Sequence, residues 1–527
     1  MNKRIIGIYL AFSLAMFGTV LQLFSIVNEY SQTASESYST KTLSIASTRA
    51  TIYDRNLLPL VNTQTQIIAA VTDGQGSDTI DSIDMTSEQI SDKLASGYPF
   101  VTQLNELVEL ESVICFDVPI RYSEDSLASH LIGYLDYEGN LGLMGIEKAY
   151  NEFLNENGGA ISVSYQVDAN GSVIAGIDAQ INDDNYYSSA GVVLTIDSEI
   201  QQVVETALQN STIESGSVIV MHVDTGEILA LASYPDFDPN DVSSALTADN
   251  SPLINKALQS YSVGSVFKPI VAAVALENGV SEDLTYECTG SIELGDTIYS
   301  CNNTTAHGII NMTEALEVSC NCYFISLIQQ LDTDYLLKFC EDIGFSQSDM
   351  IAENISTASG ILPTSDSLDL IGNLANFAFG QGDFSATPIQ LAKAYNVLAT
   401  GYVVEPTVIR GFTNYDGLLT LSETADKQKL LSDATVSKLK TMLESVVTNG
   451  NANSAYSELV SVSGKTGTAQ SGIFDLGEEI CRTWFTGFFP SENPHYIVIV
   501  LNENGVGGGV DCAPVFLEIC EGIVMAQ

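Results

Sequence analysis

Hydrophobic and polar positions change period several times along the chain. Residues 5–27, Ile5 to Val27, form an unbroken apolar run with no charged residue, preceded by Lys3 and Arg4. That is long enough to cross a bilayer, and the basic flank places the N-terminus on the cytoplasmic side. The run is long for the apolar part of a signal peptide and no small-x-small cleavage site ends it, so an uncleaved anchor is expected. A Ser/Thr-rich stalk, Ser31 to Thr42, follows. Around Asp54 to Asn56 a turn separates two strand-like stretches, the second running through Ile67 and Val71. Residues 78–115 read as helical in parts. Gly142 to Tyr150 opens a helix that ends before Gly158-Gly159, and Ile161 to Ile177 alternates like a strand hairpin with its turn at Ala169-Asn-Gly171.

After a polar stretch at Asp183 to Ser189 the pattern becomes more apolar. Strands are expected at Val192–Ile196, Ser217–Met221 and Ile228–Ser233, with an amphipathic helix over Ile200–Leu208 capped by Asp197 or Ser198. Helices follow from Ser265 past Leu276, around Met312–Gln330, over Asp334–Ile343 and over Pro388–Ala399. Strands return at Val460–Ser463, Thr483–Phe489 and Tyr496–Leu501, and a helix over Pro514–Met525 follows. Strands, a helical block, strands and a last helix predict an α+β architecture: an antiparallel sheet flanked by helices.

The 527 residues suit two or three domains. Nineteen basic and 66 acidic residues leave a net charge of −47. That argues against nucleic acid and against peripheral binding to anionic lipid, since both would be repelled. None of the four histidines stands in a metal-ligand spacing with another histidine or a cysteine, so linear spacing suggests no metal site. The nine cysteines include no Cys-x-x-Cys pair. Cys288 and Cys301 bracket a strand-like stretch and can close a loop in an oxidising space, while Cys320 reads as a packed thiol. Neither a phosphate-binding loop nor a Gly-x-Ser-x-Gly elbow is present, and no cofactor is implied.

Chemistry concentrates in three short motifs. Ser265-Val-Phe-Lys268 puts a hydroxyl and an amine on one face of a helix, about one turn apart. A serine hydroxyl needs a neighbouring base, and lysine serves as one when burial or adjacent positive charge lowers its pKa. Ser319-Cys-Asn321 follows 54 residues later, and Lys465-Thr-Gly467 follows after a further 146. This trio, in this order, is that of penicillin-binding proteins and related serine β-lactamases. Leu194-Thr-Ile-Asp197, Asp224-Thr-Gly226, Gly380-Gln-Gly382, Ala386-Thr-Pro-Ile-Gln390 and Trp484-Phe-Thr-Gly487 extend the likeness, as do Arg49 to Asn56 and Gly142 to Tyr150.

The chain thus resembles a class B penicillin-binding protein. The resemblance implies a cytoplasmic tail (1–4), an anchor (5–27), a β-rich non-catalytic pedestal or dimerisation module (28–188) and a penicillin-binding, β-lactamase-like transpeptidase domain with a helical subdomain (189–527). It implies that Ser265 attacks the D-Ala-D-Ala bond of a peptidoglycan stem peptide, with Lys268 as base. Ser319 and Asn321 would assist Lys268, and Lys465, Thr466, Gly467 and Thr468 would meet the substrate. Backbone N–H groups of Ser265 and Thr468 would form the oxyanion hole. β-Lactams would acylate Ser265, and a polytopic glycan polymerase is an implied partner. Hydrolytic relatives, in which water takes the acyl group, and a non-catalytic scaffold or β-lactam sensor are the competing readings. Three positions depart from the family pattern: Val263 stands where proline is common, and Ala50 and Leu57 stand where glycines are usual.

Overall fold

The computed structural model describes residues 2–36, 39–72, 92–93, 96–301, 304–423, 426–475 and 477–526. The chain forms two compact units. The first comprises Met1–Arg49, Asn62–Arg121 and Gly158–Ser188; the second comprises Ala50–Val61, Tyr122–Asn157 and Ser189–Gln527. Two segments from the N-terminal third therefore belong to the unit that contains the three motifs.

In the first unit, helix α1 (Asn2–Glu36) contains an exposed 22-residue stretch, Ile6–Val27, of mean hydropathy 2.0, long and apolar enough to cross a membrane. Two three-stranded antiparallel sheets follow. One pairs Ser39–Thr48 with Gly159–Val167 and Gln180–Asp184; the other places Gln64–Val71 between Phe100–Leu104 and Val113–Ile120. Strand Gly159–Val167 buries Ile161, Val163, Tyr165 and Val167 and turns the intervening residues outward, the period-two pattern of a half-buried strand. The turn at Ala169–Gly171 forms as expected, with the Asp168 carboxylate accepting the Asn170 and Ser172 N–H groups and Gly171 at φ +86°. The helical expectation for 78–115 is corrected at its end. Residues 100–104 and 113–115 are strand, because Val113 and Phe100 flank Val71 in the sheet; residues 78–91 lie outside the described residues.

The second unit is built on a five-stranded antiparallel sheet. Its strands are β1 (Gly216–His222), β2 (Ile228–Tyr234), β3 (Ser463–Asp475), β4 (Glu478–Phe489) and β5 (Tyr496–Gly505), in the order β2-β1-β5-β4-β3. The Val460–Ser463 expectation starts three residues early, since β3 begins at Ser463 and runs to Asp475. Helix α2 (Ser198–Asn210) starts where Asp197 accepts the N–H groups of Glu199 and Ile200. Helix α3 (Lys268–Glu277) is buried from Lys268 through Leu276. Helix α4 (Asn321–Ile328) and helix α5 (Pro388–Thr400) complete the interior. A reciprocal Thr387–Gln390 capping box starts α5 and Gly401, at φ +85°, ends it. Helix α6 (Gly508–Ala526) packs on the sheet through Phe516, whose ring lies 4.5 Å from that of Phe485. Strands such as β1 and β2, apolar through Val218–Met221 and Ile228–Ala232 and buried on both faces, show why this region reads as continuous apolar runs instead of alternation.

The Asp54 turn keeps its shape despite the missing glycine. One Asp54 oxygen accepts the N–H groups of Asn56 and Leu58, the other accepts the Ser198 hydroxyl at 2.8 Å, and Leu57 is held at φ +64°. A branched residue there costs about 1–2 kcal/mol, and the side chain is 40% exposed, so little burial offsets it. Leu57→Gly is therefore expected to stabilise the protein by about 0.5–1 kcal/mol after the larger unfolded-state entropy of glycine is counted. Thermal unfolding of both forms checks this, and a lower midpoint for the variant contradicts it.

Candidate active site

Ser265 sits in a single 3-10 turn, Gly264–Phe267, that runs directly into α3. The turn is set by tertiary contact. Gly264 has φ +67°, and a Cβ there would stand 2.9 Å from the Thr468 carbonyl oxygen and 3.0 Å from Ala469 Cβ. Its N–H donates to the Gly380 carbonyl at 2.7 Å. Gly380 is itself at φ +73°, where a Cβ would meet the Gly264 oxygen at 2.2 Å. Tyr395 Oη donates to the Val266 carbonyl and Trp484 Nε1 to the Ser262 carbonyl, both at 3.0 Å. Val263, in the place of a proline, is fully buried, so packing and this backbone clamp do what a proline ring would otherwise do.

Lys268 is fully buried. Its Nζ donates to the Ser319 carbonyl at 2.7 Å, the Ser319 hydroxyl at 3.1 Å and Asn321 Oδ1 at 2.7 Å. Those three acceptors use every hydrogen of an ammonium; losing one leaves a lone pair at a position that already faces hydrogen-bonding partners. Burial lowers the Lys268 pKa to about 8, while the thiols of Cys320, Cys301 and Cys322 act in the opposite direction.

The helical expectation for Met312–Gln330 is interrupted at the motif itself. Helix Met312–Glu317 ends, Ser319 adopts φ +53°, and α4 begins at Asn321. This left-handed residue lets the carbonyl and hydroxyl of Ser319 both reach Lys268, which a continuous helix would prevent because its carbonyls point along its own axis. Cys320 caps α4, its Sγ accepting the Tyr323 N–H at 3.4 Å. Asn321 spans the site: Oδ1 accepts from Lys268, and Nδ2 donates to the Ser300 carbonyl at 3.2 Å.

Lys465, on β3, is fully buried too. Its Nζ donates to the Ser319 hydroxyl at 3.1 Å and the Thr466 carbonyl at 3.0 Å. Burial, and then the nearby Lys268 charge, hold its pKa well below the usual lysine range. The Ser319 oxygen thus accepts from two amines, which fills its lone pairs and leaves its own hydrogen to donate. The Thr466 hydroxyl lies 3.5 Å from the Lys465 amine. Thr466 is buried with its hydroxyl on Asn451 Oδ1 at 3.2 Å, while Thr468 is exposed. Gly467 has a packing reason beyond the open sheet edge expected for it. A Cβ there would stand 2.8 Å from Val266 Cγ1, so its bareness lets β3 lie against the nucleophile turn.

The fold thus joins Lys268, Ser319, Asn321 and Lys465 in one hydrogen-bonded network and presses the backbone of Thr468 against the residue before Ser265. Sequence reasoning missed Asn451 and Tyr395, which carry no motif of their own. It also missed a thiol and imidazole group: Cys288, Cys301, His307 and Cys320 place their ligand atoms within 4.8 Å of one another.

Comparison with known proteins shows the family. Residues 216–521, more than half of the chain, match the family described as penicillin binding protein transpeptidase domain. Stage V sporulation protein D of Bacillus subtilis is 31% identical over 77% of this chain and 64% of its own length. Peptidoglycan D,D-transpeptidase MrdA of Acinetobacter baumannii is 29% identical over 74% of this chain and 63% of its own. The chain therefore spans a little under two thirds of these two relatives. MrdA of Salmonella typhimurium is 25% identical over 96% and 94% of the two chains. Among solved structures, the D,D-transpeptidase domain of a peptidoglycan glycosyltransferase from Eggerthella lenta superposes with a TM-score of 0.67. It is 24% identical, covering 91% of this chain and 99% of that one. A peptidoglycan synthase complex superposes with a TM-score of 0.72 at 22% identity, over 100% of this chain and 99% of that one. The three motifs converge on one network in the unit that carries the family match, and the chain belongs to the penicillin-binding protein transpeptidase family, in its class B branch.

Proposed function

We propose that this chain is a membrane-anchored peptidoglycan D,D-transpeptidase. The observation that carries the proposal is the Ser319 hydroxyl held at 3.1 Å from each of two buried lysine amines, one of which is also fixed by Asn321. Ser265 Oγ attacks the carbonyl between the terminal D-alanines while neutral Lys268 takes its proton. The negative oxygen is met by the backbone N–H groups of Ser265 and Thr468. Ser319 passes its proton to the leaving amine and takes one back from the Lys268 ammonium that donates to it, and D-alanine departs. An amine of a second stem peptide then attacks the ester, gives a proton to the neutral Lys268, which returns it to Ser265 Oγ as the ester C–O bond breaks, and the cross-link forms. Lys465 and Thr468, with Thr466 beside them, are the groups proposed to meet the terminal carboxylate of the donor peptide, and its backbone lies along β3 at Gly467.

Relatives named peptidoglycan D,D-transpeptidases MrdA and FtsI support the reaction. A penicillin-binding protein 3 solved with aztreonam and with ampicillin supports acylation by β-lactams. Lys3 and Arg4 ahead of the apolar helix support an extracytoplasmic catalytic unit. Residues 28–188 serve as a non-catalytic module and 189–527 as the transpeptidase domain. A glycan polymerase fits as partner. Support comes from the synthase complex, whose structure concerns the coordination of polymerization and crosslinking; a Helicobacter pylori penicillin-binding protein solved with MreC supports assembly with partner proteins.

Intact-protein mass spectrometry of the full chain in detergent with benzylpenicillin tests the reading. One adduct, mapped to Ser265, should form and persist for hours, and Ser265→Ala should form none. An adduct that clears as penicillin is hydrolysed would instead identify a β-lactamase, and folded protein without any adduct would leave only a scaffold.

The acylation rate constant should rise about tenfold per pH unit from pH 6 and level off near pH 8, as Lys268 deprotonates. A flat profile would remove Lys268 as the base. Ser319→Ala strips both amines of their shared acceptor and should slow acylation by about 10²–10⁴-fold, measured by stopped-flow with a chromogenic cephalosporin; a loss under threefold would take Ser319 out of the proton path.

A further inference from the structure

A chain of hydrogen bonds leads out of the catalytic network through Thr466. Lys465 Nζ donates to Thr466 Oγ1 at 3.5 Å, and Thr466 Oγ1 in turn donates to Asn451 Oδ1 at 3.2 Å. A hydroxyl has one hydrogen, so while Asn451 accepts it Thr466 has none left for a ligand. An amide whose oxygen is engaged in this way keeps both of its N–H donors. No described group accepts from Asn451 Nδ2, and the residue is exposed.

The backbone of Asn451 is held between two segments. The helix Asp433–Thr448 ends at Asn449, and the Asn451 N–H donates at 3.0 Å to the carbonyl of Glu317, two residues before Ser319. Gly450 permits this approach, since a Cβ there would stand 2.8 Å from the same carbonyl oxygen. On the other side lies Gly509, at the start of α6. A Cβ on it would stand 3.1 Å from the Asn451 carbonyl oxygen and 3.7 Å from Thr466 Cγ2. Asn451 therefore touches the segment that leads into Ser319, the strand that carries Lys465 and the start of α6. None of these contacts uses its amide nitrogen.

Charge decides what such a donor serves. Burial pushes the Lys465 amine toward its neutral form, and Lys268 beside it pushes the same way. An anion next to Thr466 thus gains less from Lys465 than from a fully charged lysine, and neutral N–H and O–H donors have to supply the rest. Thr468 lies two residues along β3, on the same side of the strand as Thr466. It is exposed, and no described group engages its hydroxyl. We infer that Asn451 is a binding residue for the terminal carboxylate of the donor peptide: its Oδ1 holds the Thr466 hydroxyl, and its Nδ2 donates to the carboxylate beside Thr468. This rests on the transpeptidase reading and deepens it. Thr466 fixes the amide, and the amide meets the ligand.

The test is stopped-flow acylation of the full chain in detergent by benzylpenicillin and by its methyl ester, which lacks the charge. Asn451→Asp keeps an oxygen for the Thr466 hydroxyl and replaces the donor by a like charge; Asn451→Ala removes both. The backbone tie to Glu317 survives either change, and the acid-to-ester ratio is read within each variant, so a general loss of folded protein cancels. With the acid, the second-order acylation rate constant should fall about tenfold in Asn451→Ala, the size of one hydrogen bond to a charged group. It should fall about a hundredfold in Asn451→Asp, where two negative charges meet. The loss should lie in the dissociation constant and not in the limiting rate, and with the ester both variants should stay within about twofold of the wild-type rate constant. Equal losses with acid and ester would make Asn451 a structural residue and overturn the inference. So would an Asn451→Asp rate constant within about twofold of wild type with the acid. Wild-type chain acylated by neither ligand would overturn the transpeptidase reading itself, and this inference with it.

Discussion

Two lysine amines are buried against one serine hydroxyl, and much of the catalytic unit exists to make that arrangement tolerable. An ammonium taken out of water costs several kcal/mol unless its hydrogens are accepted elsewhere. Here Ser319 supplies a carbonyl and a hydroxyl, and Asn321 an amide oxygen. The environment cannot favour two positive charges so close together, so burial depresses both amines and makes a neutral base available near neutral pH. The same constraint explains the break in the helix at Ser319. Only a left-handed residue offers both of its oxygens to one amine, and the helix has to stop for it to do so.

Ser265, the proposed nucleophile, is held by a different device. Glycines at 264, 380 and 467 let three backbone segments approach closer than any side chain would permit, and the Ser265 turn is caught between them. Rigid packing supports this from below: Phe267 sits among Phe345, Phe377 and Phe384, with ring centroids 4.7–6.4 Å apart. A backbone fixed in this way orients the serine without spending its hydroxyl on the job.

Much of this was legible in the sequence, and the reasons separate cleanly. Motif order and spacing single out the proposed nucleophile, its proposed base and their partners because acyl transfer by serine and lysine demands those residue types. The strands β1 and β2, helix α2 with its Asp197 cap and the fully buried α5 follow from local pattern, since burial and capping leave their mark on adjacent residues. The long apolar run at 6–27 is equally direct. Tertiary structure alone decided the rest. The strand at 100–104 was invisible because its partner, 64–71, lies far away in sequence. Asn451 and Tyr395 matter only through what they touch. The positive φ of Ser319 and Leu57 is imposed by distant contacts against local preference. The thiol and imidazole cluster has no recognisable spacing, for its four side chains come from a strand, the ends of two loops and a helix cap that only the fold brings together.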